Sequence, residues 1–359
     1  MARRRKITFD TRYLPGLFDE VLQQDEEETE ASADTDRRHS NAGRPRKLPE
    51  LDPSSFLPGD SGAPLEHIEP LTSARPVRNL RFISFGSGSS GNCSYLGNDR
   101  FGILIDAGVD PSRIYKELDN YGIDVSTIGG IILTHDHGDH VRYAYAIVRR
   151  HRHLRIYCTP GTLNGMLRRH NISRRIKDYH QPVFKEFPFH LSDFVITPFE
   201  VSHDGSDNVG FFISAGNHKF VVATDMGVVT ERADHYIRQA THLMIEANYD
   251  LNMLLNGHYP EYLKGRIIAE RGHMDNEATA AYLKEIYTPS LRNIFLCHLS
   301  HDNNTPEIAL AAIRNALTSL GIDVGDGSGS IETRDAAVQL SALPRFDSTG
   351  VIVLRLPQD

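Results

Sequence analysis

An apolar run, Gly130-Ile131-Ile132-Leu133, passes without a spacer into Thr134-His135-Asp136-His137-Gly138-Asp139-His140. A strand that ends in three histidines and two carboxylates must stop at a sheet edge where a loop opens, because those side chains are costly to bury unpaired. His135 and His137, two apart on an extended backbone, point to one side and can share one ion. Asp139 and His140 follow at the start of the next helix and can turn toward a second. Imidazole nitrogen and carboxylate oxygen suit zinc, manganese or iron better than calcium or magnesium. Further ligand-type residues stand where apolar strands end: His203 in Val201-Ser202-His203-Asp204, Asp225 after Phe220-Val221-Val222-Ala223-Thr224, and His298 after Asn293-Ile294-Phe295-Leu296-Cys297.

The pattern HxHxDH, then His, Asp and His at these separations, resembles the metallo-β-lactamase superfamily over roughly residues 80 to 356. The resemblance implies one ion held by His135, His137, His203 and Asp225. It implies a second held by Asp139, His140, Asp225 and His298, with Asp225 bridging. The cofactor is then two divalent metal ions, zinc or manganese. A hydroxide between them would be the nucleophile, available at neutral pH because two cations lower its pKa. Asp139 would also orient that water and accept its proton.

A weak internal duplication supports the same architecture. Residues 92–108 read strand, Gly-Asn-Asp turn, then Phe101-Gly102-Ile103-Leu104-Ile105-Asp106-Ala107-Gly108. Residues 209–227 read strand, Ala-Gly-Asn turn, then Phe220 through Asp225-Met226-Gly227. Both are hairpins closing on Asp-x-Gly, and each precedes a helical segment and a further strand. Two β-rich halves with outer helices predict an α/β fold, the αββα sandwich of the family, with the metals at one edge. Asp106 is then the counterpart of Asp225. The resemblance makes it a carboxylate that holds the histidine loop by hydrogen bonds rather than binding metal.

The 359 residues carry 39 Lys/Arg and 47 Asp/Glu, a net charge of −8, which does not advertise a nucleic-acid binder. Cys93, Cys158 and Cys297 are widely spaced without a CxxC, so we expect no disulfide framework and a reducing, cytoplasmic setting. No stretch of eighteen apolar residues suggests a membrane span. The basic start, Met1-Ala2-Arg3-Arg4-Arg5-Lys6, lacks the apolar segment of a secretory signal. Residues 1–78, with an acidic run from Asp25 to Glu30, read as a mostly disordered extension, and 79–359 as the hydrolase domain. Within the extension, Arg12-Tyr13-Leu14-Pro15-Gly16-Leu17-Phe18 is an apolar island suited to docking a protein partner, faintly like bacterial sliding-clamp ligands. Gly43-Arg44-Pro45-Arg46-Lys47 faintly resembles an AT-hook, with a basic linker the plainer reading.

Four features favour a phosphate substrate. In Gly86-Ser87-Gly88-Ser89-Ser90-Gly91-Asn92, the side chains of Ser89, Ser90 and Asn92 and small-residue backbone can approach an anion, although a plain hairpin loop fits equally. His273 precedes a helix over Ala278 to Ile286 and stands near the spacing of the non-ligand histidine of RNase Z-like members, a catalytic position at the scissile phosphate or leaving oxygen. Asn303 and Asn304, before Thr305 as N-cap and Pro306 in the first turn, either donate to a phosphate or shape the loop. Basic clusters at Arg149–His153 and at Arg168 to Lys177 could form a backbone-binding patch or a solvated face.

Together with Ile245-Glu246-Ala247-Asn248-Tyr249-Asp250, these segments resemble the bacterial YycJ/WalJ (VicX) branch of the superfamily. That resemblance implies a metal-dependent 5′→3′ DNA exonuclease linked to replication or mismatch repair, with nucleic acid as partner. The competing readings are a small-molecule phosphodiesterase, a thioesterase of the glyoxalase II kind, an RNase Z-like RNase, and a non-enzymatic scaffold with a relic site.

Overall fold

The computed structural model describes residues 77–327 and 335–356; the two peptides singled out at 12–18 and 43–47, and most of the extension, lie outside these residues. One sheet holds β1 (Asn79–Gly86), β2 (Cys93–Gly97), β3 (Gly102–Ile105), β4 (Ile128–Ile132), β5 (Arg155–Cys158) and β6 (His180–Pro182). The second holds β7 (Phe189–Leu191), β8 (Phe194–Glu200), β9 (Val209–Ala215), β10 (His218–Ala223), β11 (His242–Glu246), β12 (Asn293–Cys297), β13 (Val324–Gly325) and β14 (Val338–Ala342). β15 (Ile352–Arg355) returns to the first sheet beside β1. The orders are β15-β1-β2-β3-β4-β5-β6 and β13-β14-β12-β11-β10-β9-β8-β7.

Strand periodicity sorts the side chains into three layers. Between the sheets lie Phe82, Ile105 and Ile132 from one side and Phe211, Phe220, Val222 and Phe295 from the other. The Phe82 ring stands 5.2 Å from Phe220 and 4.7 Å from Phe295. Their neighbours Ile83, Leu104 and Ile131 face the helices Pro111–Asn120 and Ala144–Arg150. Val221, Ala223 and Ile245 face the helices Glu231–Ile237, Asn276–Ile286 and Pro306–Thr318. Strands covered on both faces read as continuous apolar runs, which is why Gly130–Leu133 and Phe220–Thr224 stand out in the sequence. The result is an αββα sandwich. Among the described residues, no helix is long and apolar enough to cross a membrane.

Both expected hairpins form: β2 pairs antiparallel with β3, and β9 with β10. A helix then leads to a parallel partner in each half, β4 beside β3 and β11 beside β10. The Pro306–Thr318 helix starts as anticipated, with Thr305 Oγ1 accepting from the Ile308 N–H. The helix expected from Ala278 begins two residues earlier, at Asn276, because Asp275 caps it. Within each sheet, parallel strands bring several carboxyl ends to one edge, the usual place for a ligand in such sheets.

Candidate metal centre

Asp106 and His298 follow directly on β3 and β12, and Asp225 follows β10 after Thr224; each has a left-handed backbone, with φ of 60° for Asp106, 49° for Asp225 and 54° for His298. Such a conformation costs about 1–3 kcal/mol in a non-glycine residue. Here it turns the chain sharply where the strand ends and swings the side chain into the gap between the sheets. His135 enters from the loop after β4 and is buried; His137 is partly exposed and stands at the N-cap position of the short helix Gly138–Val141, which carries the buried Asp139 and His140.

The side chains converge on Asp225 Oδ2. His140 Nε2 lies 3.4 Å from it, His298 Nε2 3.5 Å, His135 Nε2 3.7 Å and His203 Nε2 3.8 Å. Asp139 Oδ2 sits 3.2 Å from His298 Nε2 and 3.5 Å from His140 Nε2. Three groups have ligand atoms within 4.8 Å of one another: His135, His137, His203 and Asp225; Asp139, His140 and His298; and Asp225, Glu246, His273 and His298.

Partners on the far side of the rings fix which nitrogen faces inward. His140 Nδ1 lies 2.8 Å from Asp106 Oδ2, whose other oxygen accepts from the Thr134 N–H at 2.9 Å. His203 Nδ1 donates to the Gly272 carbonyl at 3.0 Å. His135 Nδ1 meets Thr134 Oγ1 at 3.0 Å, leaving its buried Nε2 with no hydrogen-bond partner. An orphaned buried imidazole nitrogen beside a carboxylate is unfavourable unless a cation fills the space. Ligands of a tetrahedral zinc ion, bound at about 2.0–2.1 Å, stand about 3.3–3.4 Å apart, close to the separations here. The residues fit a divalent metal.

Electrostatics points the same way. Burial and the neighbouring His140 and His137 hold His135 well below the usual histidine range. Burial lowers His203 to about 4. For His140, burial is outweighed by Asp225, Asp139 and Asp106, which raise it well above the ordinary value. His298 is pushed up to about 10, the burial effect being overcome by Asp225, Asp139 and Glu246. Against their burial, Asp139 is held low by His140 and His298, Asp225 by His298, His140 and His135, and Glu246 by His273 and His298. Buried anions in such number call for cations.

Two residues of this shell escaped the sequence reading. Glu246, fully buried at the end of β11, contacts His273 Nδ1 at 2.6 Å and His298 Nδ1 at 3.1 Å, and accepts the Met226 and Met274 N–H groups. It carries the same signal as Asp225 and His298, a charged residue closing the apolar run Leu243-Met244-Ile245. Thr134 links Asp106 to His135 and His140 through one hydroxyl.

The remaining candidates fall in different places. His273 stacks on His298 at 5.2 Å between ring centres, close to the cluster. Asn92 is buried; its Nδ2 donates to Asp139 Oδ2 and to the Gly88 carbonyl, both at 3.0 Å, so its amide holds the loop to the cluster. Asn304 is buried too, its Nδ2 engaged by the Ala247 and Asn248 carbonyls and Asn276 Oδ1. Asn303 is buried and contacts Ser300 Oγ. Ser89 is partly exposed and Ser90 exposed at the loop tip. Asp136 faces away from the cluster, accepting from the Ser206 N–H at 2.8 Å and hydroxyl at 2.6 Å.

The two basic clusters separate. His153 contacts the Val125 carbonyl ahead of β4, and Arg155 begins β5, so Arg149–His153 lies near the strand ends opposite the ligand cluster. Arg168 and Arg169 close the helix Pro160–Arg169 beside the histidine loop: Arg168 reaches Ser206 Oγ at 3.2 Å, Arg169 Nε lies 3.4 Å from Asp136, and His170 Nε2 meets the Asp136 carbonyl at 2.6 Å.

An αββα sandwich carrying this imidazole–carboxylate cluster at one edge is a metallo-β-lactamase-fold hydrolase, a fold that binds divalent metal. The Beta-lactamase superfamily domain model matches residues 102–298. The chain is 31% identical over 253 residues to Exodeoxyribonuclease YycJ of Bacillus anthracis, covering 69% of this chain and 92% of that protein. It is 28% identical to Exodeoxyribonuclease WalJ of Streptococcus pneumoniae, covering 68% and 91%. The solved metallo-β-lactamase fold protein YhfI from Bacillus subtilis shares the fold at 15% identity, with a TM-score of 0.52 over 76% of this chain and 98% of that one. The chain thus belongs to the Beta-lactamase superfamily and, within it, to the group of the YycJ and WalJ proteins.

Proposed function

We propose that this chain is a cytoplasmic, metal-dependent phosphodiester hydrolase that degrades DNA as a 5′→3′ exonuclease in replication or repair. The observation that carries the metal chemistry is the convergence of four imidazole Nε2 atoms on one buried carboxylate oxygen, Asp225 Oδ2. The choice of DNA is supported by the exodeoxyribonuclease relatives and by arginines beside the histidine loop.

His135, His137, His203 and Asp225 would hold one ion, and Asp139, His140, Asp225 and His298 a second, each zinc or manganese. When bound, such ions polarise a phosphoryl oxygen and make water a nucleophile near neutral pH. Asp139, steadied by Asn92, orients that water and takes its proton. His273 is raised above its usual pKa, Glu246 outweighing burial, and so serves as a cationic donor to the phosphate or the leaving oxygen. Glu246 and Asp106 position the histidines. Arg168 and Arg169 grip the strand's backbone, and this grip weakens as salt rises. Residues 1–78 would act as an extension that recruits a protein partner, and 79–359 as the hydrolase domain.

The test is hydrolysis by protein stripped of metal and reloaded with zinc or manganese, with His137→Ala alongside. Activity on both DNA and a small phosphodiester, restored by metal and absent from the variant, supports the proposal. Turnover of a thioester with both phosphate substrates inert overturns it.

A further inference from the structure

Arg345 follows β14 and is held firmly, because the Leu343 N–H bonds the Leu296 carbonyl and the Pro344 carbonyl accepts from Ser87. Its guanidinium lies across the Gly/Ser loop: Nη1 reaches Ser89 Oγ at 3.0 Å and Ser90 Oγ at 3.5 Å, and Nη2 reaches the Leu299 carbonyl at 2.5 Å. Gly88 makes room for it. This residue has φ of +141°, and a Cβ there would stand 3.0 Å from Arg345 Cζ. Among the described residues no carboxylate comes within 4.0 Å of this half-buried cation, and the Ser89 and Ser90 N–H groups have no partner. A partly desolvated guanidinium that no carboxylate touches, with Asp302 and Asp139 attracting it only from beyond contact distance, stands beside two hydroxyls and two open amides and is a site for an anion.

Its place relative to the ligand cluster is fixed by short covalent and hydrogen-bonded links. Leu299 adjoins His298, whose N–H donates to Ser87 Oγ at 2.9 Å. Asn92, at the other end of the loop, bonds Asp139. Arg345 therefore flanks the Asp139–His298 side, while Arg168 and Arg169 flank the side of Asp136 and Ser206.

We propose that Arg345, with Ser89 and Ser90, forms a phosphate subsite that takes the substrate phosphate next to the scissile one on the Asp139–His298 side. This rests on the phosphodiesterase reading above. Planar N–H donors match phosphate oxygens in pairs, so lysine supplies the charge but only part of the fit. Removing a hydrogen bond to a charged group costs about 1.5–3 kcal/mol, or roughly 10- to 100-fold.

The metal-loaded protein is assayed on an oligonucleotide and on bis(4-nitrophenyl) phosphate, which has a single phosphate. The expected result is a loss of kcat/KM in Arg345→Gln that is about 10- to 100-fold greater on the oligonucleotide than on the small diester. Arg345→Lys recovers part of it. Equal losses on both substrates, or none on the oligonucleotide, overturn the subsite. A calorimetric titration with inorganic phosphate reads the subsite independently of nuclease activity. A binding event present in the wild type and lost in Arg345→Gln supports it, and identical isotherms refute it. Should the wild type cleave the small diester and no oligonucleotide, the nuclease reading falls while this titration still decides the subsite.

Discussion

Replacing Glu246 by Gln changes one atom in a fully buried side chain and tests how the cluster is oriented. The carboxylate accepts on both oxygens: Oε1 faces His273 Nδ1 at 2.6 Å and His298 Nδ1 at 3.1 Å, and Oε2 takes the Met226 and Met274 N–H groups at 3.0 and 3.2 Å. A glutamine has one acceptor and one donor end. The backbone N–H groups cannot reverse, so the amide oxygen must serve them, and the amide NH₂ is left facing both imidazoles. The rings then move their proton to Nε2. In His298 that atom lies 3.2 Å from Asp139 and 3.5 Å from Asp225, where a lone pair is needed to ligate an ion. Loss of such an outer partner costs about 10- to 100-fold in metal affinity, equivalent to about 1.4–2.7 kcal/mol. Glu246→Gln should therefore keep one ion through dialysis against a mild chelator where the wild type keeps two, read by elemental analysis, with activity reduced in step. Two tightly held ions and full activity in the variant would refute the tautomer argument.

Other consequences follow from the same geometry. His140 and His298 are held protonated above their usual range by Asp225 and its neighbours, so metal loading must release protons. Apparent affinity should rise with pH toward the His298 value of about 10, and calorimetry in buffers of different ionisation heat should reveal the protons. Gly165 leaves no room for a side chain, since a Cβ would lie 1.9 Å from Asp136 Oδ2. Gly165→Ala should destabilise the fold by about 1–3 kcal/mol and loosen the histidine loop, as thermal melts and metal retention would show. The exposed Arg168 and Arg169, changed together to Gln, should weaken duplex binding and flatten its log–log salt dependence by about 1.8, measured by fluorescence anisotropy. Burial holds His242 neutral, lowering it to about 3 beside His218, which is also lowered. The unfolded chain binds protons first, so this pair stabilises the fold above about pH 6.5 and loses its contribution as pH falls toward 3. His242→Gln should reduce the acid sensitivity of chemical denaturation midpoints.

The sandwich was legible because its strands are covered on both faces and end abruptly in ligand-type residues. The relation of Asp106 to Asp225 could be read from two Asp-x-Gly hairpins, and the structure gives both aspartates the same left-handed turn. Glu246 stayed hidden because its contacts to His273 and His298 depend on the parallel pairing of β11 and β12, a long-range register that local pattern does not encode. Arg345 was missed for a related reason: 256 positions separate it from Ser89, and a lone arginine in a C-terminal loop carries no periodicity. The basic clusters looked alike in sequence. Strand direction separates them, since one precedes β5 and the other starts in the last turn of the helix after it. Burial likewise separates the serines at the Gly/Ser loop tip from Asn92, Asn303 and Asn304, whose surroundings are interior.

The most direct test of the nuclease assignment is the pattern of product release from a duplex labelled at either the 5′ or the 3′ end, using metal-loaded full-length protein. Early release of labelled mononucleotide from the 5′ end, with the 3′ label retained on steadily shortening strands, is the predicted result. Intact DNA under conditions where a small substrate is turned over rapidly would contradict it.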